Sequence, residues 1–450
     1  MSTQRYGRLT DAPAALVLTG VRAMDPGTGS DAVRDVAILD GRLVPVDAVP
    51  ADAERVDCRG LVAAPGFLDL HTHLREPGGD GSESIESGAR AAAHGGYTTI
   101  CAMPNTEPAL DDPDRVAWVL GRAAGAACRV RVIGAVTSGR AGAALADLDA
   151  LATVGVVAVS DDGAAVSEDH AEHALTRLAV LGLPLVEHAE APALAGRAVM
   201  RGGQTATRIG LEGWPAEAEA SVVRRDIALA AQAGARLHLT HLSTAAAVDA
   251  VRDAKARGVG VTADVTPHHI ALTDEWVAGA REFAWEASAS PALVSERAYD
   301  GSCRVNPPLA TREDALALLE GLRDGTIDAI ATDHAPHSPE RKLVPFDDAA
   351  PGLIGLETAL SIGLAAVEAG VLPLMTLLRA LTTGPAGVIG ETRSLEVGGV
   401  ADLVLFDPAA RWRVERSALA SLSANTPLMG MELPGVVRLT VADGRVTYRS

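Results

Sequence analysis

Residues 65–78 of this chain read PGFLDLHTHLREPG. Asp69, His71 and His73 are spaced by two within this stretch, so a β-strand would direct all three side chains to one face of a sheet. Two imidazoles on adjacent rungs at a strand end can bind one metal ion at about 2.0–2.1 Å. A pair of hydrogen-bonded core histidines is the other interpretation of this motif taken alone. The rest of the chain decides between the two.

The chain after this motif alternates short apolar runs with alanine-rich stretches of helical periodicity, such as SIESGARAAAHG at 84–95. We predict strands at 62–73, 97–103, 129–136, 154–160, 183–188, 235–241, 259–265 and 327–333. Eight strand–helix alternations are typical of an α/β fold whose parallel sheet closes into a (β/α)8 TIM barrel. A doubly wound open sheet is the structural alternative. The segment 273–303 is an unusually long connection after the seventh strand, and its aromatic residues favour an ordered excursion.

The two ends of the chain are β-rich instead. Runs such as ALVLTGVRAM at 15–24 and VADLVLFDP at 400–408 are separated by Asp-Gly and Pro-Gly turns. We expect the two ends to associate into one small β domain. The predicted boundaries are 1–62 and 386–450 for the two parts of this domain, and 63–385 for a catalytic barrel.

The composition excludes several classes of protein. The chain has 39 Lys+Arg against 58 Asp+Glu and a formal net charge of −19, which argues against a nucleic-acid or anionic-membrane partner. The chain contains no run close to the ~20 apolar residues of a membrane-spanning helix, and its polar start is not a signal peptide. Its four cysteines are scattered without a CxxC pair. We therefore expect a soluble cytoplasmic protein.

Three other predicted strands end in a residue that can bind a metal. His188 ends LPLVEH, His241 ends RLHLTH and Asp333 ends IDAIATD. The carboxyl ends of barrel strands converge on one mouth, where catalytic groups collect. All twelve histidines lie between His71 and His337, which also indicates a central domain that uses imidazole. We therefore predict a metal site at the mouth.

A second metal ion would need a bridging ligand between these groups. Metal-dependent hydrolases of this kind often use a carbamylated lysine from the fourth strand, but no lysine precedes Lys255. The fourth strand ends instead in Asp161-Asp162. Adjacent residues face opposite sides of a strand, so only one of these two carboxylates can be the ligand.

These groups suit the hydrolysis of an amide. Bound zinc can lower the pKa of water to about 7 and polarise a carbonyl oxygen, while Asp333 can carry the proton from water to the leaving nitrogen. Arg75, on the same strand face as His73, can clamp a carboxylate. Further candidates near the mouth are Asn105 in MPNTEP, Asn306 in VNPPLA and His337 in TDHAPHS.

Taken in order, PGFLDLHTHLREPG, MPNTEP, SDDG, VEHAE, LTHLST, TPHH, VNPPL and ATDHAPHS resemble the dihydroorotases of the amidohydrolase superfamily. They are most similar to the bacterial type I group, which has an aspartate in place of the carbamylated lysine. The resemblance implies reversible zinc-dependent hydrolysis of the small molecule L-dihydroorotate to N-carbamoyl-L-aspartate in pyrimidine biosynthesis, with one or two zinc ions per subunit and two favoured.

The resemblance also implies roles for individual residues. His71 and His73 would bind the first ion, His188 and His241 the second, and Asp162 would bridge them. Asp333 would contact the first ion and act as the acid and base. The substrate-binding residues implied are Arg75 and Asn105 for the carboxylate, Asn306 and His337 for the ring, and the backbone of Pro351 and Gly352.

Two departures from the family pattern stand out. Pro351 replaces a phenylalanine and therefore removes a backbone donor, and the segment 273–303 is expanded. Allantoinase or dihydropyrimidinase activity is one alternative, although those relatives use the carbamylated lysine and lack the arginine that follows HxHL here. An inactive scaffold for aspartate transcarbamoylase is another. A complex with that enzyme, and a homo-oligomer, are also compatible with an active dihydroorotase.

Overall fold

The computed structural model of the chain describes residues 5–286 and 294–450, and its centre is a barrel of eight parallel strands. The strands neighbour one another in chain order. Their bounds are Phe67–Thr72, Tyr97–Ala102, Arg129–Gly134, Ala158–Val159, Leu185–Glu187, Leu237–Leu239, Val261–Val265 and Ala329–Ile330. After the eighth strand, His334 pairs in parallel with Thr72, and the His73 amide donates to the His334 carbonyl at 2.9 Å. This contact closes the sheet, so the predicted (β/α)8 barrel is confirmed and the open-sheet alternative is excluded.

Helices follow the barrel strands and surround them. The α-helices of the described residues are Ile85–His94, Pro113–Ala123, Leu148–Val154, Glu168–Leu181, Pro192–Ala195, Gln204–Ile209, Glu217–Ala233, Ala245–Ala256, Pro267–Ala271, Arg312–Asp324, Pro339–Lys342, Ala359–Glu368, Leu374–Leu381 and Thr383–Val388. Short 3-10 turns lie at Val46–Ala48, Ser138–Arg140, Asp274–Trp276, Gly301–Cys303 and Arg416–Ala418. A small parallel pair, Met200–Arg201 with Gly213–Trp214, lies after the fifth barrel strand.

The first barrel helix shows why these sequences form helices where they do. Ser84 caps its amino end, because its hydroxyl accepts the Ser87 amide while the Ser87 hydroxyl accepts the Ser84 amide. Alanines such as Ala89, Ala92 and Ala93 are fully buried along its inner face. These small side chains let the helix pack close to the strands.

Both ends of the chain contribute to one nine-stranded sheet beside the barrel. Val62–Pro65 pairs antiparallel with Leu403–Arg413, and Arg5–Tyr6 pairs antiparallel with Arg445–Arg449. The other strands of this sheet are Leu16–Asp25, Ser30–Leu39, Arg42–Val44, Glu54–Asp57 and Glu432–Ala442. The expected β-rich unit built from both termini is therefore present.

The structure divides the strand predicted at 62–73. Val62–Pro65 belongs to the terminal sheet, and only Phe67–Thr72 belongs to the barrel. Gly66 between them donates its amide to the Asp402 carbonyl, and a Cβ at this position would lie 2.2 Å from the Thr98 Cγ2. An apolar run cannot reveal this exchange of partners, because both halves are equally hydrophobic.

The long connection after the seventh barrel strand packs on the helix Gln204–Ile209, which follows the fifth barrel strand. Glu275 accepts hydrogen bonds from Thr205 and Arg208, and the Tyr299 hydroxyl donates to the Ile209 carbonyl at 2.6 Å. Residues 287–293 of the predicted 273–303 excursion lie outside the described residues. Within the described ranges, the structure contains no helix that is both long and apolar enough to cross a membrane.

Candidate active site

Two imidazoles and two carboxylates meet at the carboxyl end of the barrel strands. His71 Nε2 lies 3.3 Å from Asp162 Oδ1 and 3.5 Å from Asp333 Oδ1. His73 Nε2 lies 3.0 Å from Asp333 Oδ1 and 3.6 Å from Asp162 Oδ2. All four side chains are buried. The first, fourth and eighth strands thus supply one compact group of nitrogen and oxygen atoms.

A second group adjoins the first and shares Asp162 with it. His188 follows the fifth strand and His241 follows the sixth, and His188 Nδ1 lies 3.0 Å from His241 Nε2. Each of these nitrogens lies 3.7 Å from Asp162 Oδ1. Asp162 therefore faces four imidazoles, two from each group.

The hydrogen bonds on the far sides of the rings leave bare nitrogens in the site. Thr240 donates to Asp264 and so accepts from His71 Nδ1 at 3.0 Å, while Asn105 Oδ1 accepts from His73 Nδ1 at 2.8 Å. His71 Nε2, on the other side of the ring, is buried and has no hydrogen-bond partner among the described residues, so it can present a lone pair to a cation that displaces its proton. On His188, Glu190 accepts from Nε2 at 3.1 Å, and Nδ1 faces His241 Nε2 and Asp162 inside the site. Bare nitrogens that converge on carboxylates fit divalent metal ions.

The electrostatics of the cluster agree with this fit. Burial disfavours a charged His71 ring, yet the carboxylates of Asp162 and Asp333 outweigh burial and raise the pKa of His71 to about 10. Burial acts in the opposite sense on Asp162, but the neighbouring histidines hold the pKa of this carboxyl well below its ordinary value. The site therefore favours positive charge between these groups.

The two adjacent aspartates after the fourth strand point in different directions. Asp161 Oδ1 accepts the amides of Val136 and Thr137 at 2.9 and 3.0 Å, and its other oxygen accepts the Thr137 hydroxyl. Arg140 donates to the carbonyls of both aspartates and fixes the turn. Asp161 thus stabilises the loop after the third strand through these hydrogen bonds, while the Asp162 carboxylate faces the histidines.

Two residues that support the histidines of the cluster, Asp264 and Glu190, were missed from the sequence. Asp264 accepts the Thr240 hydroxyl and the His241 amide, the latter at 2.6 Å, and so links His71 and His241. Glu190 orients His188. A signal existed in each case, since Asp264 interrupts the apolar run VTADV and Glu190 follows His188 by two residues. These partners hold the rings and raise their basicity.

A cavity of about 230 Å³ opens beside the cluster. Arg75 is half-buried in its wall, with Nε donating to the Pro336 carbonyl at 3.2 Å and Nη2 3.5 Å from His337 Nε2. Burial lowers the pKa of Arg75 from its ordinary value, but a guanidinium remains charged near neutral pH. The predicted carboxylate clamp thus lies two residues from His73, in the wall of the same cavity.

Asn105 and Asn306 also reach the cavity, but their amides are already engaged. Asn105 Nδ2 donates to Asp162 Oδ2 at 2.9 Å while its oxygen holds His73. Asn306 Nδ2 donates to Glu190 Oε2 at 2.9 Å. Asn105 thus orients His73 and Asp162, Asn306 orients Glu190, and both also line the cavity.

His337, Pro351 and Gly352 also line the cavity, beside Arg75. His337 Nε2 donates to the Pro351 carbonyl at 2.7 Å, and Nδ1 is left buried without a partner among the described residues. Burial, with the nearby charge of Arg75, lowers the pKa of His337 to about 3, so the ring is neutral. The Gly352 amide donates to the Arg304 carbonyl at 2.8 Å. His337 Nδ1 is therefore an acceptor near the cavity.

Four of the other histidines lie outside this group of candidate ligands. His238 donates to Asp264 at 2.8 Å beneath the cluster, and His94 pairs with Glu357 at 2.5 Å. His173 is exposed on the helix Glu168–Leu181. His269 binds the Pro307 carbonyl at 3.0 Å.

A parallel (β/α)8 barrel with a histidine–carboxylate cluster at its strand ends defines a metal-dependent hydrolase of the amidohydrolase type. Solved structures share this fold. The chain aligns with L-hydantoinase (dihydropyrimidinase) from Arthrobacter aurescens at a TM-score of 0.80 and 24% identity, covering 96% of each chain. It aligns with dihydropyrimidinase from Brevibacillus agri NCHU1002 at a TM-score of 0.79 and 23% identity, covering 96% of this chain and 94% of that one.

Sequence relatives narrow the family. A model of the dihydro-orotase-like family matches residues 60–247. The chain is 46% identical over 439 residues to the dihydroorotase of Anaeromyxobacter sp. (strain K), covering 96% of this chain and 98% of that protein. It is 43% identical over 441 residues to the dihydroorotase of Syntrophotalea carbinolica, covering 96% and 99%. The chain belongs to the dihydroorotase family, the cyclic amide hydrolases of the amidohydrolase superfamily predicted from its motifs.

Proposed function

We propose that this protein catalyses the reversible hydrolysis of L-dihydroorotate to N-carbamoyl-L-aspartate in pyrimidine biosynthesis, with zinc as its metal. The observation that carries the proposal is the placement of Arg75. Its half-buried guanidinium lies in the wall of the cavity that the histidine–carboxylate cluster also lines. A cyclic amide with a carboxylate on its ring would place its amide at the cluster and its carboxylate at Arg75.

The proposed ligands are His71 and His73 for one ion, His188 and His241 for a second, and Asp162 between them. Asp162 lies within 3.3 to 3.7 Å of a nitrogen of each histidine, which supports two ions rather than one. Zinc supplies an activated water and polarises the amide carbonyl when it is bound.

Asp333 is the proposed acid and base of the reaction. Its Oδ1 contacts His71 and His73, and the residue lines the cavity. Burial favours the protonated acid, but His71 and His73 outweigh burial and lower the pKa of Asp333. The carboxylate is therefore ionised and can accept a proton from the attacking water. It then delivers this proton to the ring nitrogen as the amide bond breaks.

The remaining cavity residues are proposed to hold the substrate. Arg75 and Asn105 would bind the carboxylate, and Asn306 and His337 would bind the ring. Pro351 has no amide hydrogen and the Gly352 amide already donates to Arg304, so this pair offers the substrate no free backbone N–H. A backbone contact from the pair would come from the Pro351 carbonyl, which accepts from His337 with one lone pair and keeps a second for an N–H group of a cyclic ureide.

Removal of the Arg75 guanidinium is expected to weaken substrate capture. Arg75→Ala should raise KM for dihydroorotate roughly 10- to 100-fold, because a hydrogen bond to a charged group contributes about 1.5–3 kcal/mol. The change in kcat should be smaller. Steady-state kinetics measures both constants. Arg341→Ala is the matched control, since Arg341 also lines the cavity but is exposed. An unchanged KM in Arg75→Ala would remove the clamp from the account.

The substrate itself is tested with a charged and an uncharged cyclic amide. Zinc-loaded protein is offered L-dihydroorotate, dihydrouracil and hydantoin at equal concentrations, and ring opening is followed by absorbance. We expect turnover of dihydroorotate and little of the uncharged rings. Preference for the uncharged rings would replace the proposal with a dihydropyrimidinase activity.

The proposal includes a cytoplasmic location and two kinds of partner. The four cysteines are free and buried, which suits a reducing compartment. Exposed apolar side chains such as Val33 and Leu343 are available for contact with a second copy of the chain or with aspartate transcarbamoylase.

A further inference from the structure

Residues 350–352, which we call the strap, carry no long side chain, and Pro351 and Gly352 of this segment line the cavity. Gly352 has a backbone φ of +125°, and a Cβ at this position would lie 2.5 Å from the Ala335 Cβ. A glycine is therefore required there. Pro351 holds the His337 ring through its carbonyl. A strap of this kind cannot fix its own position through side-chain packing, so other residues must do so.

Lys342 is the first of these residues. It lies at the end of the helix Pro339–Lys342, and only 4% of its surface is exposed. Its ammonium group donates to the carbonyls of Ala350 at 2.6 Å, Gly352 at 2.9 Å and Arg304 at 3.2 Å. Three donors thus meet three carbonyls, two of which belong to the strap. The Arg304 carbonyl also accepts the Gly352 amide. Gly352 is therefore held both at its amide, by Arg304, and at its carbonyl, by Lys342.

Asn425 is the second. It lies between the terminal-sheet strands Leu403–Arg413 and Glu432–Ala442, and it is buried. Its Nδ2 donates to the carbonyls of Ala335 at 3.0 Å and Gly352 at 3.1 Å, and its Oδ1 accepts the His337 amide at 3.1 Å. One amide side chain from the terminal region thus ties the His337 loop to the strap.

We propose that Lys342 and Asn425 are positioning residues that set the affinity for the substrate by fixing the strap and the His337 loop as one rigid wall. This inference rests on the proposed function. The imidazoles of the cluster are held by Thr240, Asn105 and Glu190, none of which belongs to the strap. A displaced wall therefore weakens substrate binding and leaves the metal centre and the proton transfer intact. The terminal β-rich region contributes to substrate recognition through Asn425.

The test uses the two lysines of the chain as a matched pair. Lys255 lies on the outer helix Ala245–Ala256, where it pairs with Asp328 at 2.7 Å and donates to the Gly325 carbonyl. Lys342→Met should raise KM for dihydroorotate about 10-fold or more, with kcat within about 3-fold of wild type and an unchanged metal content. Lys255→Met should leave all three quantities unchanged.

Asn425→Ala tests the same wall independently, because it removes the hydrogen bonds from the Asn425 side chain to Ala335, Gly352 and His337. It should also raise KM with little change in kcat, and the double variant should raise KM by less than the product of the two single effects, because both residues hold the Gly352 carbonyl. A KM within about 2-fold of wild type in both single variants would overturn the inference, as would losses of kcat and metal content that match the change in KM. A wild-type protein that does not turn over dihydroorotate would instead overturn the proposed function, and the inference with it.

Discussion

Asp333→Asn should bind metal and lose nearly all turnover. In the native protein, Asp333 Oδ1 lies 3.0 Å from His73 Nε2. The asparagine amide has the same shape as the carboxylate and can place its oxygen at this position. It cannot accept a proton from water or pass one to the leaving nitrogen. Proton transfer by a positioned side chain contributes about 10²- to 10⁴-fold, so kcat should fall by about that factor.

The measurement combines kcat with the metal content of the same preparation. Asp328→Asn is a matched control, because Asp328 precedes the same strand, Ala329–Ile330, at its opposite end and binds Lys255 at the surface. The control should retain its kcat. A near-normal rate in Asp333→Asn would remove Asp333 from the chemistry. Loss of both metal and rate would assign it to metal binding alone.

The second large effect is expected at Asp162. This carboxylate lies within 3.7 Å of imidazole nitrogens from both histidine groups. Asp162→Asn should therefore reduce the bound metal to at most one ion per chain. Without the shared carboxylate the histidines lose the negative charge that balances the ions, and kcat/KM should fall by about 10³-fold or more, as for other groups that organise a preformed charged site.

Asp161→Asn is the natural control, since it changes the neighbouring residue in the same way. Asp161 accepts two backbone amides and the Thr137 hydroxyl. Its replacement should cost stability of about 1–3 kcal/mol, because a buried hydrogen-bonding group then loses a partner. Metal content should be retained. Metal analysis and thermal unfolding of the two variants test this contrast, and the reverse pattern would transfer the bridging role to Asp161.

Much of the fold could be predicted because it depends on local patterns. The alternation of apolar runs and alanine-rich helices identified the barrel, and the turn-rich ends identified the terminal sheet. The division at Gly66 could not be predicted, since it depends on Asp402 and Thr98, which are distant in sequence. Pairing partners of that kind are set by tertiary contacts rather than by hydrophobic periodicity.

The candidate site shows the same limit. Histidines and aspartates at strand ends could be selected from their positions alone, and the fold brings them together. Sequence periodicity restricted the bridging ligand to either Asp161 or Asp162. It could not choose between them, because either of two adjacent residues at a strand end can be the one that faces the histidines. The hydrogen bond from Asn105 to Asp162 joins residues 57 positions apart, and the hydrogen bond from Asn425 to Gly352 joins residues 73 positions apart. No spacing rule in the sequence reports such contacts.

The most direct test of the account is a metal titration of the activity. Metal-free protein is prepared with a chelator, zinc is added in measured equivalents, and opening of the L-dihydroorotate ring is followed at each step. We expect no turnover without metal and recovery that is complete at two equivalents per chain. Turnover that survives complete removal of the metal, or a protein that binds two zinc ions and leaves dihydroorotate intact, would contradict it.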